Sequence, residues 1–228
     1  MDGTRIRGTA PHLFGGSGGS SPTAASAEAA RPEAAKRGRP RSEEAGRAIL
    51  RAAAELLAER GLAGMSIEEV ASRAGVGKAT IYRRWNSKGT LALDAFLAEF
   101  QGRQPLPDTG SLRGDLLQAL RAWVAAVTRT EAGPMLAGLI AEAQHDEELA
   151  RAWRERVVRP LRAQHEIMLE RAIARGEIPA RTDKDVVLDL FFGAAYHRLL
   201  QGHLPLTDRF AGQVVEMIVA GARAGPAR

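Results

Sequence analysis

The stretch SIEEVASRAGVGKATIYRRW, residues 66–85, decides how the rest of the chain is interpreted. It predicts two short helices joined by a tight turn. Ser66 is expected to cap the first helix, and Glu69 stands three residues later, where it would complete a capping box. Gly75 supplies the positive φ that a short helix–helix turn often needs. Apolar residues recur between these two signals at the spacing of one helix face: Ile67, Val70, Ala71 and Ala74.

The second of these helices is expected to run from about residue 77 to residue 85. Its periodicity turns Ile81 and Trp85 inward. The residues expected on the outer face are Ala79, Thr80, Tyr82 and Arg83. A small, hydroxylated, aromatic and cationic face suits a DNA major groove, where arginine binds guanine edges and alanine contacts a thymine methyl group. The periodicity alone leaves open an ordinary surface helix with no DNA partner.

The order of the parts makes the interpretation more specific. The run GVGKATIYRRWNSKGTL, preceded by SIEEVASRA, closely resembles the DNA-binding signature of the TetR/AcrR family of transcriptional regulators, over roughly residues 43–97. The matching positions are Gly75, Thr80, Tyr82, an aromatic at Trp85, and Lys88. Gly89 departs from the acidic or small polar residue expected at its position. The resemblance implies an all-α fold of about nine helices, with a three-helix helix-turn-helix domain and a larger ligand-binding and dimerisation domain.

The resemblance also implies a function. We expect a dimeric repressor that binds a near-palindromic operator of double-stranded DNA and is released by a small apolar or aromatic effector. Phosphate contacts are expected from Ser66, Thr80, Tyr82 and Lys88, and base contacts from Lys78, Ala79, Arg83 and Arg84. Three alternatives remain open: an activator of the same fold, an unspecific DNA-coating protein, and a ligand-binding or enzymatic protein that no longer reads DNA.

The positive charge is concentrated at the amino end of the chain. The net charge of +5 divides into +4 over residues 1–41, +2 over residues 42–90 and −1 over the remainder. Residues 1–35 contain too few large apolar side chains to form a core and are expected to be a disordered tail. KRGRPR, residues 36–41, is expected to be an extended basic arm that places Arg39 and Arg41 in a minor groove; a solvated basic linker is the alternative. The DNA-binding domain is expected over residues 42–90, with its first helix capped by Ser42 and ended by Gly61.

Several classes of protein find no support in the sequence. The chain has no cysteine, so disulfides and thiolate metal sites are excluded. No apolar run approaches the ~18 residues of a membrane span, and the expected location is therefore the cytoplasm. GVGKAT resembles part of a phosphate-binding loop, but Lys78 is followed by Ala79 rather than serine or threonine. We find no catalytic, metal or cofactor motif and expect no enzymatic activity.

Residues 91–228 are expected to form the helical effector-binding and dimerisation domain. A long helix from Asp146 to about Arg175 contains Pro160, which removes one backbone hydrogen bond and should kink it. Such a kink could leave a cavity between helices. The candidate lining residues are Trp123, Met135, Leu139, His165, Met168, Phe192 and Tyr196, and ordinary core packing is the alternative for each of them.

The last two predicted helices, residues 183–202 and 207–224, are apolar on more than one face. A helix that is apolar nearly all round must be covered on both sides. We expect a second copy of the chain to cover one side in a four-helix interface; a monomer with a deeply buried helix is the alternative. The residues assigned to that interface are Val187, Phe191, Ala194, Val214, Met217 and Ile218.

Overall fold

The computed structural model describes residues 39–100 and 106–224, so the predicted tail and the first half of the basic arm lie outside the described residues. The described part is all-α, as predicted. A π turn at Arg154–Val158 joins α7 to α8 without a break, and the described residues thus form nine continuous helices. The elements are α1 (Arg39–Gly64), α2 (Ile67–Ala74), α3 (Lys78–Tyr82), α4 (Lys88–Phe100), α5 (Leu112–Arg129), α6 (Ala132–Glu142), α7 (Glu147–Trp153), α8 (Arg159–Ala174), α9 (Lys184–Gln201) and α10 (Asp208–Ala224).

Helix α1 begins earlier than the sequence indicated. It starts at Arg39, so Arg39 and Arg41 belong to its first turn, and the expected extended arm is wrong for these two residues. Proline is compatible with the first turn of a helix because its missing N–H has no intrahelical partner there. Gly61 breaks α1 near its end with a φ of 68°, as expected of a glycine at that position.

The disruption predicted at Pro160 lies just before the proline. The Arg159 N–H donates to the carbonyl of Arg154, five residues back, which is the hydrogen-bond pattern of a π turn. Pro160 cannot donate to the Arg156 carbonyl, because the proline ring leaves no N–H. The chain therefore passes through one widened turn between α7 and α8 rather than ending the helix.

Two hydrophobic cores lie side by side. The first joins α1–α4 with α6, the end of α5 and the start of the long helix, and it includes Val157 and Leu161. The second joins most of α5 with α8, α9 and α10, and it includes Met168. Trp123 and Phe192 pack against both cores. The long helix thus passes from the first core to the second just after the π turn.

The helix starts predicted at residues 183 and 207 are confirmed by their caps, and α5 begins with a cap of the same kind. Ser111, Asp183 and Thr207 each accept a hydrogen bond from the backbone N–H three residues later, at 3.1 Å in every case. These side-chain oxygens satisfy amides that would otherwise lack a partner at a helix start. No helix in the described ranges is long and apolar enough to cross a membrane.

Candidate nucleic-acid interface

Ser66 caps α2 as predicted, with one difference in geometry. The Glu69 N–H donates to Ser66 Oγ at 3.2 Å, which is the expected cap. The Glu69 carboxylate accepts from the Ser66 hydroxyl at 3.1 Å. In a capping box that carboxylate would reach the backbone N–H of the cap residue instead. The single hydroxyl proton of Ser66 is consequently directed at Glu69.

The turn between α2 and α3 is built on Gly75. This glycine has φ 66° and ψ 34°, the left-handed conformation that L side chains rarely adopt. The Val76 N–H donates to the Ala71 carbonyl at 3.0 Å, and the Gly75 N–H donates to the Ser72 carbonyl at 3.2 Å. This pair of bonds is a Schellman motif, and it fixes the direction in which the chain leaves α2.

Helix α3 has one buried face and one exposed face, as its sequence predicts. Ile81 is fully buried and Trp85 is 8% exposed, whereas Ala79 and Arg83 are exposed and Tyr82 is 54% exposed. The Trp85 N–H donates to the Ile81 carbonyl at 3.0 Å, so helical bonding continues past Tyr82. Thr80 is only half-buried and stands at the edge of this face.

Arg83 and Arg84 are adjacent but have different surroundings. The Arg84 guanidinium donates to the carbonyl and the hydroxyl of Ser42, and it lies over Gly46 of α1. Arg84 therefore ties the end of α3 to the start of α1. The Arg83 side chain is exposed and has no hydrogen-bond or ion-pair partner within the described residues, so its guanidinium is free to meet a ligand.

The two lysines of the predicted DNA face already have partners. The Lys78 ammonium lies 2.9 Å from a Glu68 carboxylate oxygen, and this hydrogen bond raises the pKa of Lys78. Both side chains of that pair are largely exposed. The half-buried Lys88 donates to the Leu62 carbonyl at 2.9 Å, next to the break in α1.

The predicted effector-pocket residues fall into separate groups. Trp123 and Tyr196 meet edge to face with ring centroids 5.6 Å apart, and His165 meets Phe192 at 5.0 Å. Burial raises the pKa of Tyr196 to about 12 and lowers that of His165, which contacts the Leu161 carbonyl through Nδ1. The remaining three residues are buried in the cores: Met135 and Leu139 in the first, Met168 in the second.

The predicted dimer face needs a correction. Val187, Phe191 and Ile218 are buried in the second core of their own chain, so they offer little surface to a second copy. Ala194 and Val214 are half-buried. The large exposed apolar residues on α9 and α10 are Val186, Leu190, Leu200 and Met217, at 52%, 57%, 43% and 77% exposure. Helix α9 is apolar on several sides, and its sequence periodicity could not show which side faces solvent.

Comparison with known families accounts for nearly all of the described chain. Residues 49–95 match the family described as bacterial regulatory proteins, tetR family. Residues 106–218 match the tetracyclin repressor-like C-terminal domain. The first match contains α2, α3 and most of α4, and the second runs from the segment before α5 into α10.

Individual relatives and solved structures agree with these matches. The chain is 37% identical to the HTH-type transcriptional regulator YdeS of Bacillus subtilis, over 83% of this chain and 95% of that protein. It is 35% identical to the DNA-binding transcriptional repressor TetR of Mycobacteroides abscessus, over 78% and 94%. The crystal structure of the TetR family transcription regulator SCO0332 is 39% identical, covers 78% of this chain and 98% of its own, and superposes with a TM-score of 0.67.

One more distant structure shares the fold alone. FadR of Bacillus subtilis, crystallised with stearoyl-CoA, is 21% identical, covers 77% of this chain and 98% of its own, and has a TM-score of 0.61. With both parts of the sequence matched and relatives above 30% identity along most of its length, the chain belongs to the TetR family of helix-turn-helix, DNA-binding transcriptional regulators.

Proposed function

We propose that the protein is a dimeric, ligand-responsive repressor that binds a near-palindromic operator. The observation that carries this proposal is the exposed face of α3, where Tyr82 and the unpaired Arg83 stand above an anchor of Ile81 and Trp85. TetR-family regulators bind DNA and act as dimers, and the Mycobacteroides abscessus relative is a DNA-binding transcriptional repressor.

The contacts of the four cationic side chains within the protein indicate how easily each of them can bind DNA. Arg83 is free to bind a guanine edge through two parallel hydrogen bonds, whereas Arg84 would first have to leave Ser42. Lys78 can leave Glu68 at small cost, because an exposed ion pair contributes only about 0–1 kcal/mol. Lys88 is held more firmly, since a hydrogen bond from a charged donor contributes about 1.5–3 kcal/mol.

The hydroxyl groups of the face suit phosphate oxygens. Tyr82 presents its phenol at the surface, and Thr80 lies at the edge beside it. Phosphate contacts fix the position of a protein on the duplex, and base contacts supply the sequence preference. Ser66 would reach a phosphate only by giving up its hydrogen bond to Glu69, so its role at DNA is secondary to its role as a cap.

A second copy of the chain would bring a second α3 to the operator. Val186, Leu190 and Met217 are exposed apolar residues on α9 and α10, and a second copy of the chain would cover them. Paired recognition helices about 34–36 Å apart enter successive major grooves on one side of the duplex. A symmetric dimer therefore requires an inverted repeat in the DNA.

The effector is proposed to bind in the larger domain. The ring contacts of Trp123 with Tyr196 and of His165 with Phe192 favour an apolar or aromatic molecule. The stearoyl-CoA bound in FadR is a property of that protein. If the effector releases DNA, operator binding must weaken effector binding by the same factor.

Selection of bound sequences from random duplexes, using the purified full chain, tests this function. We expect enrichment of two inverted half-sites with centres about 10 base pairs apart. Equal recovery of all sequences would indicate an unspecific DNA-coating protein, and recovery of none would remove the DNA-binding function. A reporter placed behind the selected site then separates repressor from activator, because expression of the protein should lower transcription rather than raise it.

A further inference from the structure

A carboxylate on α4 joins the recognition helix to the larger domain. The indole Nε1–H of Trp85, which anchors the end of α3, donates to Asp94 Oδ2 at 2.7 Å. The other oxygen, Asp94 Oδ1, forms an ion pair with Arg156 of the π turn. The Asp94 side chain is only 26% exposed. The π turn therefore reaches the anchor of α3 through one side chain.

A second contact links the same two regions. A Cβ placed on Gly89, in the first turn of α4, would lie 3.0 Å from Asp146 Oδ2 and 3.1 Å from a Leu149 methyl group. Asn86 Nδ2 donates to Glu148 Oε1 at 3.2 Å. The first turn of α7 therefore lies directly against the start of α4, and a Cβ at position 89 would crowd that contact.

The π turn lies near the point where the long helix passes from the first hydrophobic core to the second. Before and within it, Leu149 and Val157 are buried in the first core, which contains the helix-turn-helix. Beyond it, Met168 and Leu169 are buried in the second core. π turns inside α-helices are rare and occur frequently at functional sites.

We propose that Arg156 and Asp94 are positioning residues through which the larger domain sets the orientation of α3. This inference rests on the proposed function and names its regulation. A shift of α8 relative to the first core moves the π turn and withdraws Arg156 from Asp94. The half-buried carboxylate then loses its counter-charge, and Trp85 loses the rigid acceptor that holds the end of α3. Coupling is reciprocal, so DNA bound at α3 must also act on the π turn.

Hydrogen exchange of the full chain, with and without the selected duplex, tests this coupling without an effector. We expect the duplex to slow amide exchange in residues 154–158 by at least about fivefold. A factor of about five is the lower end of the range by which one site typically changes the equilibrium at another. Arg156→Gln should lose this protection while still binding the duplex. Arg154→Gln is the matched control, since the Arg154 side chain is exposed in the same π turn and has no hydrogen-bond or ion-pair partner in the described part of the chain; it should keep the protection.

Two outcomes would overturn the inference. One is duplex binding by the wild type with no change of exchange in the π turn, and the other is protection that persists in Arg156→Gln. If Arg156→Gln does not fold, Asp94→Asn decides, because the amide keeps an acceptor for Trp85 and removes the charge that holds Arg156; retained protection there contradicts the coupling. Failure of the wild type to bind any duplex refutes the proposed function instead, and that binding is measured first.

Discussion

Replacing Gly89 by alanine has two opposing effects of similar size on the free energy of unfolding. Alanine in a helix is favoured over glycine by about 1 kcal/mol. The added methyl group, however, would meet Asp146 and Leu149 at 3.0–3.3 Å. Neither neighbour can move easily, because Asp146 Oδ1 caps α7 by accepting from the Leu149 N–H at 3.0 Å and Leu149 is fully buried. Overpacking of this kind costs about 1–3 kcal/mol, so the clash should win.

We therefore expect Gly89→Ala to destabilise the protein by about 1 kcal/mol, which lowers the melting temperature by about 2–4 °C in a chain of this size. Gly138→Ala is the matched control: Gly138 lies inside α6, and no atom would meet its Cβ within 4 Å. That variant should gain up to about 1 kcal/mol. Thermal unfolding of both variants at one protein concentration decides the matter. Equal stabilisation by the two substitutions would refute the close contact between α4 and α7.

Three further predictions concern the charge, the buried histidine and the dimer. If the Lys88 ammonium binds a DNA phosphate, Lys88→Ala should flatten the slope of the logarithm of the DNA-binding constant against log salt concentration by about 0.9. An unchanged slope would show that Lys88 binds no phosphate and only donates to the Leu62 carbonyl. Burial lowers the pKa of His165 in the folded protein. Below the ordinary histidine pKa of about 6.5, His165 is therefore protonated in the unfolded chain and remains neutral in the folded chain. The free energy of unfolding consequently falls as the pH falls. Urea unfolding between about pH 7 and pH 5 should show a weaker pH dependence in His165→Phe, and an identical dependence would show that His165 is not the source. Leu190→Glu should give a folded monomer by sedimentation, since Leu190 is 57% exposed on the proposed dimer face; a persistent dimer would place the interface elsewhere.

The sequence predicted the local parts of the fold well because local signals determine them. Ser66 and Gly75 mark the ends of α2 through a hydroxyl acceptor and a left-handed φ, and the structure contains both. The burial of Ile81 and Trp85 follows from helical periodicity in the same way. Such features depend on neighbours within a few residues, and a single sequence contains those neighbours.

Contacts between distant residues could not be read from the sequence. Val187 was assigned to the dimer face because α9 is apolar on several sides, and only packing shows that Val187 points inward while Val186 points outward. Position 89 has a glycine where the family resemblance predicts an acidic or small polar residue. The close contact with Leu149, 60 positions later in the chain, explains this glycine. The partners of Arg84 and Lys88 are likewise remote in sequence, at Ser42 and Leu62.

The central claim is that the exposed face of α3 reads DNA, and the specificity ratio of two neighbouring variants tests it most directly. Binding to the selected duplex and to a scrambled duplex is measured for the wild type, Arg83→Ala and Arg84→Ala. Arg83→Ala should lose about 1–3 kcal/mol of discrimination, or about 5- to 150-fold in the ratio. Arg84→Ala should keep the ratio, because Arg84 is bonded to Ser42 within the protein. An unchanged ratio in Arg83→Ala would contradict the account.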